Sequence, residues 1–383
     1  MLQFGTYDRG VGRNAILAEG LAAAGVTVGE CHVPVWRDTA AKLDAVARPG
    51  ALARAAARQA VAWPRLVGRY ARLPDHDALV VGATAHLDVP LACWLARRHG
   101  RLAVFDPLVS IGETVRDRGL LPPASRRFRA LTAVERALFR LPDVCLADTA
   151  PHADAFAREL GVAAERLVVV PVGAPGVYRR RATPYDPGAR RPVRVVYFGQ
   201  FIPLHGVDVV VRAAHRLRER ADVVFDLVGL GQTRPAAAAL AAALGTPNVV
   251  FHPRWLDAEA LIDAFIQPAD ICLGVFGAQP KAGLVVPYKV YAALAAGRAV
   301  VTGDTPAVRD LLSPGVEVCT VPVAADADRT AAGLAAAITR LVEDPEQRRR
   351  LAAAGQAAWD ARFAPAVTGA RLRDALVARV RRA

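Results

Sequence analysis

The residues best suited to binding an anion lie in the stretch 281–312. Pro287 and Lys289 lead into an Ala-rich predicted helix that Gly297 ends. An apolar strand follows, and a polar turn at 303–306 opens another helix. In an open α/β sheet, ligands bind beyond the carboxyl ends of strands, and helix N-termini favour anions. The stretch predicts an anion site, although an ordinary αβα unit with a glycine cap has the same pattern.

Two glycine loops follow predicted strands earlier in the second half of the chain. Gly199-Gln200 opens the first loop, and His205-Gly206 closes it at the start of a predicted helix. Such a loop presents backbone N–H groups to an anion, and its histidine could donate to a phosphate. The second loop, 229–232, suits a base or ribose packed on glycine backbone. A solvated loop histidine and a tight βα turn are the competing interpretations, and they stay open.

The first half carries a weaker set of polar candidates at predicted strand ends. Asp106 directly follows the strand 102–105, where an acid points to the substrate crevice, although Asp106-Pro107 could also begin a turn. The loop 6–14 follows the first strand and leads into a helix without a GxGxxG fingerprint. The acceptor-side candidates of this half are Gly10, Gly12, Arg13, His86 and Ser110.

The order of predicted elements indicates an α/β protein with two Rossmann-like domains. Strands alternate with helices in each half, as in a parallel sheet covered by helices. We expect strands at 2–5, 26–35, 78–81, 102–105, 144–147, 167–172, 193–198, 223–228, 249–251, 271–275, 299–302 and 316–320. The predicted domains are 1–175 and 193–357, joined by a Pro-, Gly- and Arg-rich linker at 176–192; a final helix within 358–383 is expected to cross back to the first domain.

Composition limits the classes of function. The 383 residues are 53% hydrophobic and 22% charged, which is typical of a globular protein, and the net charge is +13. The arginines are dispersed and no aromatic residues alternate with them, so we expect no nucleic-acid binding. The basic predicted helical region 39–73 fits either a surface helix pair or a patch that faces a membrane or an acceptor.

Cysteine usage and the first residues favour a reducing compartment. The five cysteines are scattered, without a CxxC pair, and most lie in apolar runs. The opening MLQFGTY reads as a strand, not as a signal peptide. We therefore predict a cytoplasmic protein, with peripheral contact at the inner face of the membrane as an option.

Several kinds of catalytic site are disfavoured by missing motifs. The sequence has no DxD pair at a strand end, no GxSxG elbow and no Walker A loop. We therefore expect no obligatory metal, no cofactor and no Ser-His-Asp chemistry.

Three segments in order carry a resemblance that covers nearly the whole chain. YFGQFIPLHGVDVVVRAAHRL, DLVGLGQ and PYKVYAALAAGRAVVTGDTPAVRDLL, together with the first glycine loop, resemble the GT-B glycosyltransferases of the family 4, retaining type. The resemblance implies two Rossmann-like domains that face a central cleft, a nucleotide-sugar donor on the C-terminal domain and an acceptor on the N-terminal domain. By the same resemblance, Gly199, Gln200 and His205 lie at the donor diphosphate.

The chain departs from the family at charged positions. The family commonly has an E-x7-E pattern, and Leu284 and Ala292 stand at the matching positions. A basic pair in the first loop is replaced by Gln200 and His205, and a histidine of the N-terminal domain is replaced by Asp106. The residues and the resemblance together give the expected donor-binding set: Gly199, Gln200, Gly206, Gly229, Gly231, Lys281, Pro287, Tyr288, Ala292, Asp304 and Thr305.

The function that follows is a retaining, metal-independent hexosyltransferase with Asp106, His205 and Lys289 as catalytic candidates. His205 and Lys289 would stabilise the departing diphosphate. The acceptor is a polysaccharide, a lipid-linked molecule or a small natural product. Two alternatives remain: a binding subunit of weak or no activity, and a nucleotide-sugar 2-epimerase.

Overall fold

The computed structural model describes residues 1–35, 51–186 and 192–380. The chain divides into two compact units, of which the first is Met1–Pro171 with the segment from Pro365 onward and the second is Val172–Ala364. Each unit is built on a six-stranded sheet whose strand pairs are all parallel. The α/β architecture with two parallel sheets, predicted from the alternation of elements, is confirmed.

The first unit has the strand order β2-β1-β3-β4-β5-β6. Its strands are β1 (Leu2–Gly5), β2 (Gly29–His32), β3 (Ala78–Val81), β4 (Leu102–Phe105), β5 (Val144–Ala147) and β6 (Leu167–Val169). Its helices are α1 (Gly12–Ala23), α2 (Ala51–Tyr70), α3 (Val89–Arg98), α4 (Ile111–Asp117), α5 (Arg126–Phe139) and α6 (Ala150–Ala155). Short 3-10 or π turns lie at His86–Asp88, Phe156–Leu160 and Ala164–Arg166.

The second unit has the strand order β12-β11-β10-β7-β8-β9. Its strands are β7 (Val193–Phe198), β8 (Val223–Val228), β9 (Val249–His252), β10 (Ile271–Leu273), β11 (Ala299–Asp304) and β12 (Cys319–Pro322). Its helices are α7 (Val177–Arg180), α8 (Val207–Arg216), α9 (Arg234–Leu244), α10 (Ala258–Leu261), α11 (Tyr288–Ala295), α12 (Pro306–Leu311), α13 (Ala327–Glu343) and α14 (Pro345–Arg362). Turns lie at Pro203–His205, Ile262–Ile266 and Pro280–Gly283.

The strands are apolar along their length because both faces of each sheet are covered. In β3, Leu79 and Val81 pack in one buried cluster, whereas Val80 packs in another with Leu17 of α1. The last helix, α15 (Pro365–Val380), adds Leu372 to that second cluster. Because residues on both faces of a strand are buried, the strands appear in the sequence as continuous apolar runs. Such runs show where the strands are but not which residues lie on which face.

The last helix approaches α1 closely enough to require glycine. A Cβ on Gly369 would lie 1.9 Å from the carbonyl oxygen of Gly20. Backbones can come this close only where neither residue carries a side chain. The two glycines thus hold α15 against α1 within the first unit.

The described part of the segment predicted as the linker 176–192 belongs to the second unit. It begins with α7, and Arg179 pairs with Asp360 at 2.9 Å, while Arg181 pairs with Asp263. Residues 187–191 lie outside the described residues, as do 36–50, which include the start of the basic region 39–73. Other differences are at strand ends: β2 is shorter than 26–35, β12 lies later than 316–320, and β11 runs through Asp304, so that 303–304 is strand and not turn.

Candidate functional site

The strand order of the second unit reverses between β7 and β10. The connections that follow β7 and β10 lead to opposite sides of the sheet, so a crevice opens beyond the carboxyl ends of these two strands. Ligands bind in this crevice in open α/β sheets. β7 ends at Phe198 and is followed by Gly199, and β10 ends at Leu273. The loop 199–206 therefore stands at the usual ligand position of the fold.

The two glycine loops of this unit pack against each other. Gly199 has φ +124° and Gly229 has φ +135°, and a Cβ on Gly229 would lie 2.0 Å from the carbonyl oxygen of Gly199. Gly231, at φ +147°, would place a Cβ 2.5 Å from the carbonyl oxygen of Phe201. Gly229 and Gly231 thus hold the loop 199–206 in position by close backbone contact.

His205 is not a solvated loop residue, which corrects one of the two interpretations of its position. It ends the turn Pro203–His205 and is only 8% exposed. Its Nδ1 lies 2.8 Å from the Tyr197 hydroxyl and contacts the carbonyl oxygen of Gln200, to which the Tyr197 hydroxyl also donates. Gly206 follows at φ +61° and starts α8. The imidazole therefore braces the first part of the loop.

Lys289 joins this group from the first turn of α11. Its Nζ lies 3.2 Å from Nδ1 of His205 and 3.9 Å from the centre of the Tyr197 ring, and the residue is 4% exposed. A Cβ on Gly199 would lie 3.3 Å from its Cε. Burial lowers the pKa of Lys289 well below its usual value. The structure thus places an amine directly beside the glycine loop.

The remaining candidates on α11 and the turn before it serve packing. Pro287 precedes the helix, and Tyr288 meets Tyr178 edge to face with centroids 5.9 Å apart. Ala292 is 0% exposed, and Leu284 packs beside the cluster of Leu204, Ala282 and Val285. This cluster fastens the turn Pro280–Gly283, with its buried Lys281, to the turn that carries His205.

Asp304 and Thr305 are occupied by their own neighbours. Both carboxylate oxygens of Asp304 accept from Arg309, which lowers the pKa of Asp304. Thr305 caps α12 by accepting from the backbone N–H of Val308 at 3.2 Å. β11, which ends at Asp304, is separated from β7 by β10. The structure therefore does not bring these two residues into the group around Gly199.

In the first unit, the structure joins two candidates in a buried ion pair. Nε of Arg13 lies 2.9 Å from Oδ2 of Asp106, and both side chains are 2% exposed. Arg13 also donates to the carbonyl oxygen of Pro171 at 2.6 Å. Burial raises the pKa of Asp106 and the guanidinium opposes that rise. Asp106 thus ties α1 to the end of β4 and does not line an open surface of its unit.

The other acceptor-side candidates have local roles. His86 places Nε2 3.0 Å from the carbonyl oxygen of Val109 and stacks edge-on against Phe105. Ser110 caps α4 and donates to Glu135 at 3.0 Å. Gly12 is the first residue of α1, and the exposed Gly10 donates its N–H to the side chain of Asp8. Of these candidates, Gly10 is the one that lies on an exposed loop beyond a strand end.

Asp88, which holds that loop, is a residue that sequence reasoning missed. Asp88 is fully buried and accepts from the N–H and the hydroxyl of Thr6 at 2.6 and 2.8 Å. Gln59 and Trp63 of α2 donate to its other oxygen. Its position shortly after β3 was the available signal, since a carboxylate there can reach the loop after β1.

A buried histidine cluster in the same unit was also missed. Nδ1 of His152 contacts Asp148, and Nε2 lies 3.6 Å from Glu113. Burial lowers the pKa of His152, but the two carboxylates outweigh burial and raise the pKa to about 9. Thr149 caps α6 by accepting a hydrogen bond from the backbone N–H of His152. Asp148 therefore does not serve as the cap, and its carboxylate contacts the imidazole of His152.

Metal-ligand clusters and membrane spans are absent from the described residues. Within 1–35, 51–186 and 192–380, no group of three or more His, Cys, Asp or Glu side chains is arranged so that it could hold a metal ion. Within the same ranges, no helix has the length and apolar character needed to span a bilayer.

Comparison with known proteins matches the second unit to one family. Residues 192–344 match the family described as glycosyl transferases group 1. The MMP alpha-(1->4)-mannosyltransferase of Mycolicibacterium hassiacum is 25% identical over 230 residues, which cover 60% of this chain. The match spans 52% of that relative, so the chain corresponds to about half of its length.

Solved structures with the same fold match almost the entire chain. The Anabaena protein HepE, in complex with UDP and glucose, superposes with a TM-score of 0.68 at 16% identity and 98% coverage of both chains. The sucrose-phosphate synthase of Thermosynechococcus elongatus gives a TM-score of 0.71 at 17% identity, covering 99% of this chain and 98% of that one. The two parallel sheets and these matches show that the chain has the GT-B fold, and its residues 192–344 match the glycosyl transferases group 1 family.

Proposed function

We propose that the chain transfers a sugar from a nucleotide-diphosphate sugar to an acceptor, with retention of the anomeric configuration. One observation carries the proposal: Nζ of Lys289 lies beside Gly199 and 3.2 Å from His205, where the strand order reverses. A glycine backbone that a ligand can approach closely, with an amine beside it, is suited to a diphosphate. A UDP-linked sugar is the first donor to test, because HepE was solved with UDP.

The proposed chemistry depends on stabilising the leaving group. The bond from the anomeric carbon to the diphosphate oxygen breaks, and the acceptor oxygen bonds to that carbon on the same face. The acceptor proton passes to the departing diphosphate. Lys289 would stabilise the charge that develops on the diphosphate, and electrostatic stabilisation of this kind often lowers a reaction barrier more than any other effect. We expect no metal to be required and a hexose to be transferred.

The first unit is proposed to bind the acceptor through the loop that follows β1. Asp88 holds this loop at Thr6, while the exposed Gly10 leaves backbone open to a ligand. Asp106, which the sequence suggested as catalytic, is proposed to position α1 through Arg13. The acceptor class remains a polysaccharide, a lipid-linked molecule or a small natural product.

Peripheral membrane contact is proposed through the described part of the region 39–73. α2 contains no acidic residue, and its exposed positions include Arg54, Arg58, Arg65 and Arg69. Such a helix is attracted to anionic lipid. Co-sedimentation with phosphatidylglycerol vesicles, compared with phosphatidylcholine vesicles, tests this part; equal binding to both would contradict it.

The test of the proposed function is a transfer assay with defined donors. The protein is incubated with UDP-, GDP- or dTDP-glucose and with a panel of alkyl glycosides, and the anomeric configuration of any product is read by NMR. We expect one donor to give a product with the donor's configuration. A product of inverted configuration would contradict retention, and a new nucleotide sugar formed from donor alone would favour a 2-epimerase.

A second candidate is a donor-binding subunit without turnover. α11 carries no carboxylate, and Ala292 is 0% exposed at the position matched to a donor-binding glutamate. Binding of a nucleotide sugar with no transfer and no hydrolysis would support this candidate. Turnover by the unmodified chain would exclude it.

A further inference from the structure

The amine of Lys289 lies in surroundings that suit a neutral group. It is 4% exposed and faces the ring of Tyr197 and the imidazole of His205. Within the described part of the chain, the polar contacts of Lys289 include no carboxylate. A buried ammonium without a counter-ion is strongly disfavoured, and such a lysine gives up its proton.

Charged side chains on the elements packed around α11 form ion pairs or hydrogen bonds with residues other than Lys289. Tyr197 of β7 and His205 of the preceding turn face the amine, and Cys272 of β10 is a buried thiol. Charged side chains of the neighbouring elements have partners of their own: Asp304 with Arg309, Asp360 with Arg179, and Arg362 with Glu317. The buried Arg298 and Arg348 donate to backbone carbonyl oxygens. Burial is therefore the cause of the lowered pKa of Lys289.

A diphosphate bound at the loop 199–206 would supply the missing counter-charge. The Cε of Lys289 would lie 3.3 Å from a Cβ on Gly199, so the amine already adjoins the loop backbone. An anion in contact with an amine favours the ammonium form. Binding then converts a poor environment for charge into a favourable one.

We propose that binding of a nucleoside-diphosphate sugar at the Gly199 loop takes up one proton, which Lys289 holds as an ammonium against the diphosphate. The inference rests on the proposed donor site. The proton comes from solvent or buffer, and no covalent bond other than the new N–H bond changes in the step. This proton uptake would not occur with an arginine at position 289, because an arginine is charged before the ligand binds.

The sign of the pH dependence follows from linkage. The free amine is neutral above its lowered pKa, and the bound amine stays charged up to a higher pKa. Between these two pKa values, binding takes up a proton, so the affinity for the donor falls as the pH rises, by up to about tenfold per pH unit. Outside that window the affinity does not depend on this group.

The experiment is a calorimetric titration at one pH in two buffers with different ionisation enthalpies. The probe is whichever of UDP-, GDP- and dTDP-glucose binds, because each phosphate of these donors has one ester bond and one anhydride bond and therefore carries one fixed negative charge near neutrality. The difference in binding enthalpy between buffers counts the protons. We expect a net uptake that approaches one per donor at some pH between about 6 and 9, the range below the ordinary lysine pKa.

Three variants assign the proton. Lys289→Met should lose the uptake and bind the donor at least tenfold more weakly, while His205→Gln should keep the uptake. Arg216→Met is the matched control, because Arg216 is exposed at the other end of α8, roughly 15 Å from its start. It should change neither affinity nor uptake. Thermal unfolding of Lys289→Met checks folding, and we expect no loss of stability.

The outcomes separate this inference from the proposed function. If none of the three donors binds, the donor site itself is wrong, and the inference is overturned with it. If a donor binds without proton uptake anywhere in that pH range, the inference alone is overturned. If the uptake persists in Lys289→Met and disappears in His205→Gln, the proton belongs to the imidazole and the assignment to Lys289 is wrong.

Discussion

Arg13 and Asp106 form an ion pair of 2.9 Å that is almost completely shielded from solvent. The pair joins α1 to the residue that follows β4, and Arg13 continues to the carbonyl oxygen of Pro171. Asp106 therefore contributes to the stability of the first unit. Breaking a buried pair costs more than the pair contributes, because the remaining charge stays buried.

Replacing Asp106 should destabilise the first unit strongly. We expect Asp106→Ala to lower the free energy of unfolding by about 3–5 kcal/mol, since Arg13 is left without its counter-ion. Urea unfolding followed by circular dichroism measures the change. Asp154→Ala, at an exposed position of the same unit, is the control and should stay within about 0.5 kcal/mol. A stable Asp106→Ala protein that binds donor but has lost transfer would instead assign Asp106 to catalysis.

A methyl group at Gly229 should displace the loop 199–206, where we propose that the donor binds. Its Cβ would lie 2.0 Å from the carbonyl oxygen of Gly199, so the loop 199–206 has to move. We expect Gly229→Ala to weaken binding of the nucleotide sugar at least tenfold, measured by calorimetry. Gly245→Ala is matched to it: Gly245 also has a positive φ, but a Cβ there meets nothing within 4 Å. That variant should lose about 1 kcal/mol of stability and keep its affinity.

The stability of the first unit should depend on pH through His152. Its pKa of about 9 lies above the ordinary 6.5, because Asp148 and Glu113 outweigh the effect of burial. The stabilisation is complete below about pH 6.5 and is lost as the pH rises through about 9, by an amount on the order of 3 kcal/mol. Urea midpoints measured across that range should show this fall. The fall should be absent in His152→Gln and present in His99→Gln, an exposed position.

The sequence predicted the architecture because parallel sheets covered on both faces leave a strong pattern. Apolar runs such as 144–147 and 193–198 match β5 and β7 to the residue. Glycines at strand ends located the loop 199–206 for a similar reason, since close backbone packing demands glycine. Fold class and loop positions were thus accessible from local signals.

The side-chain partnerships of the site were not accessible. His205 and Lys289 are 84 residues apart, and their contact exists only after β7 and α11 pack. Asp106 and Asp88 both follow strands, but tertiary contacts alone decide that one pairs with Arg13 and the other holds Thr6. The burial of His205 was equally hidden, because the neighbouring turn at Pro280–Gly283 packs over the turn that carries it.

In the proposed function, the loop at Gly199 and the amine of Lys289 together bind a nucleotide-sugar donor. Calorimetric titration of the unmodified protein and of Lys289→Met with UDP-, GDP- and dTDP-glucose decides the matter. We predict that at least one donor binds the unmodified protein with a 1:1 stoichiometry and binds Lys289→Met at least tenfold more weakly. Equal affinity of the two proteins for every donor, or no binding by the folded unmodified protein, would show that the donor does not bind there.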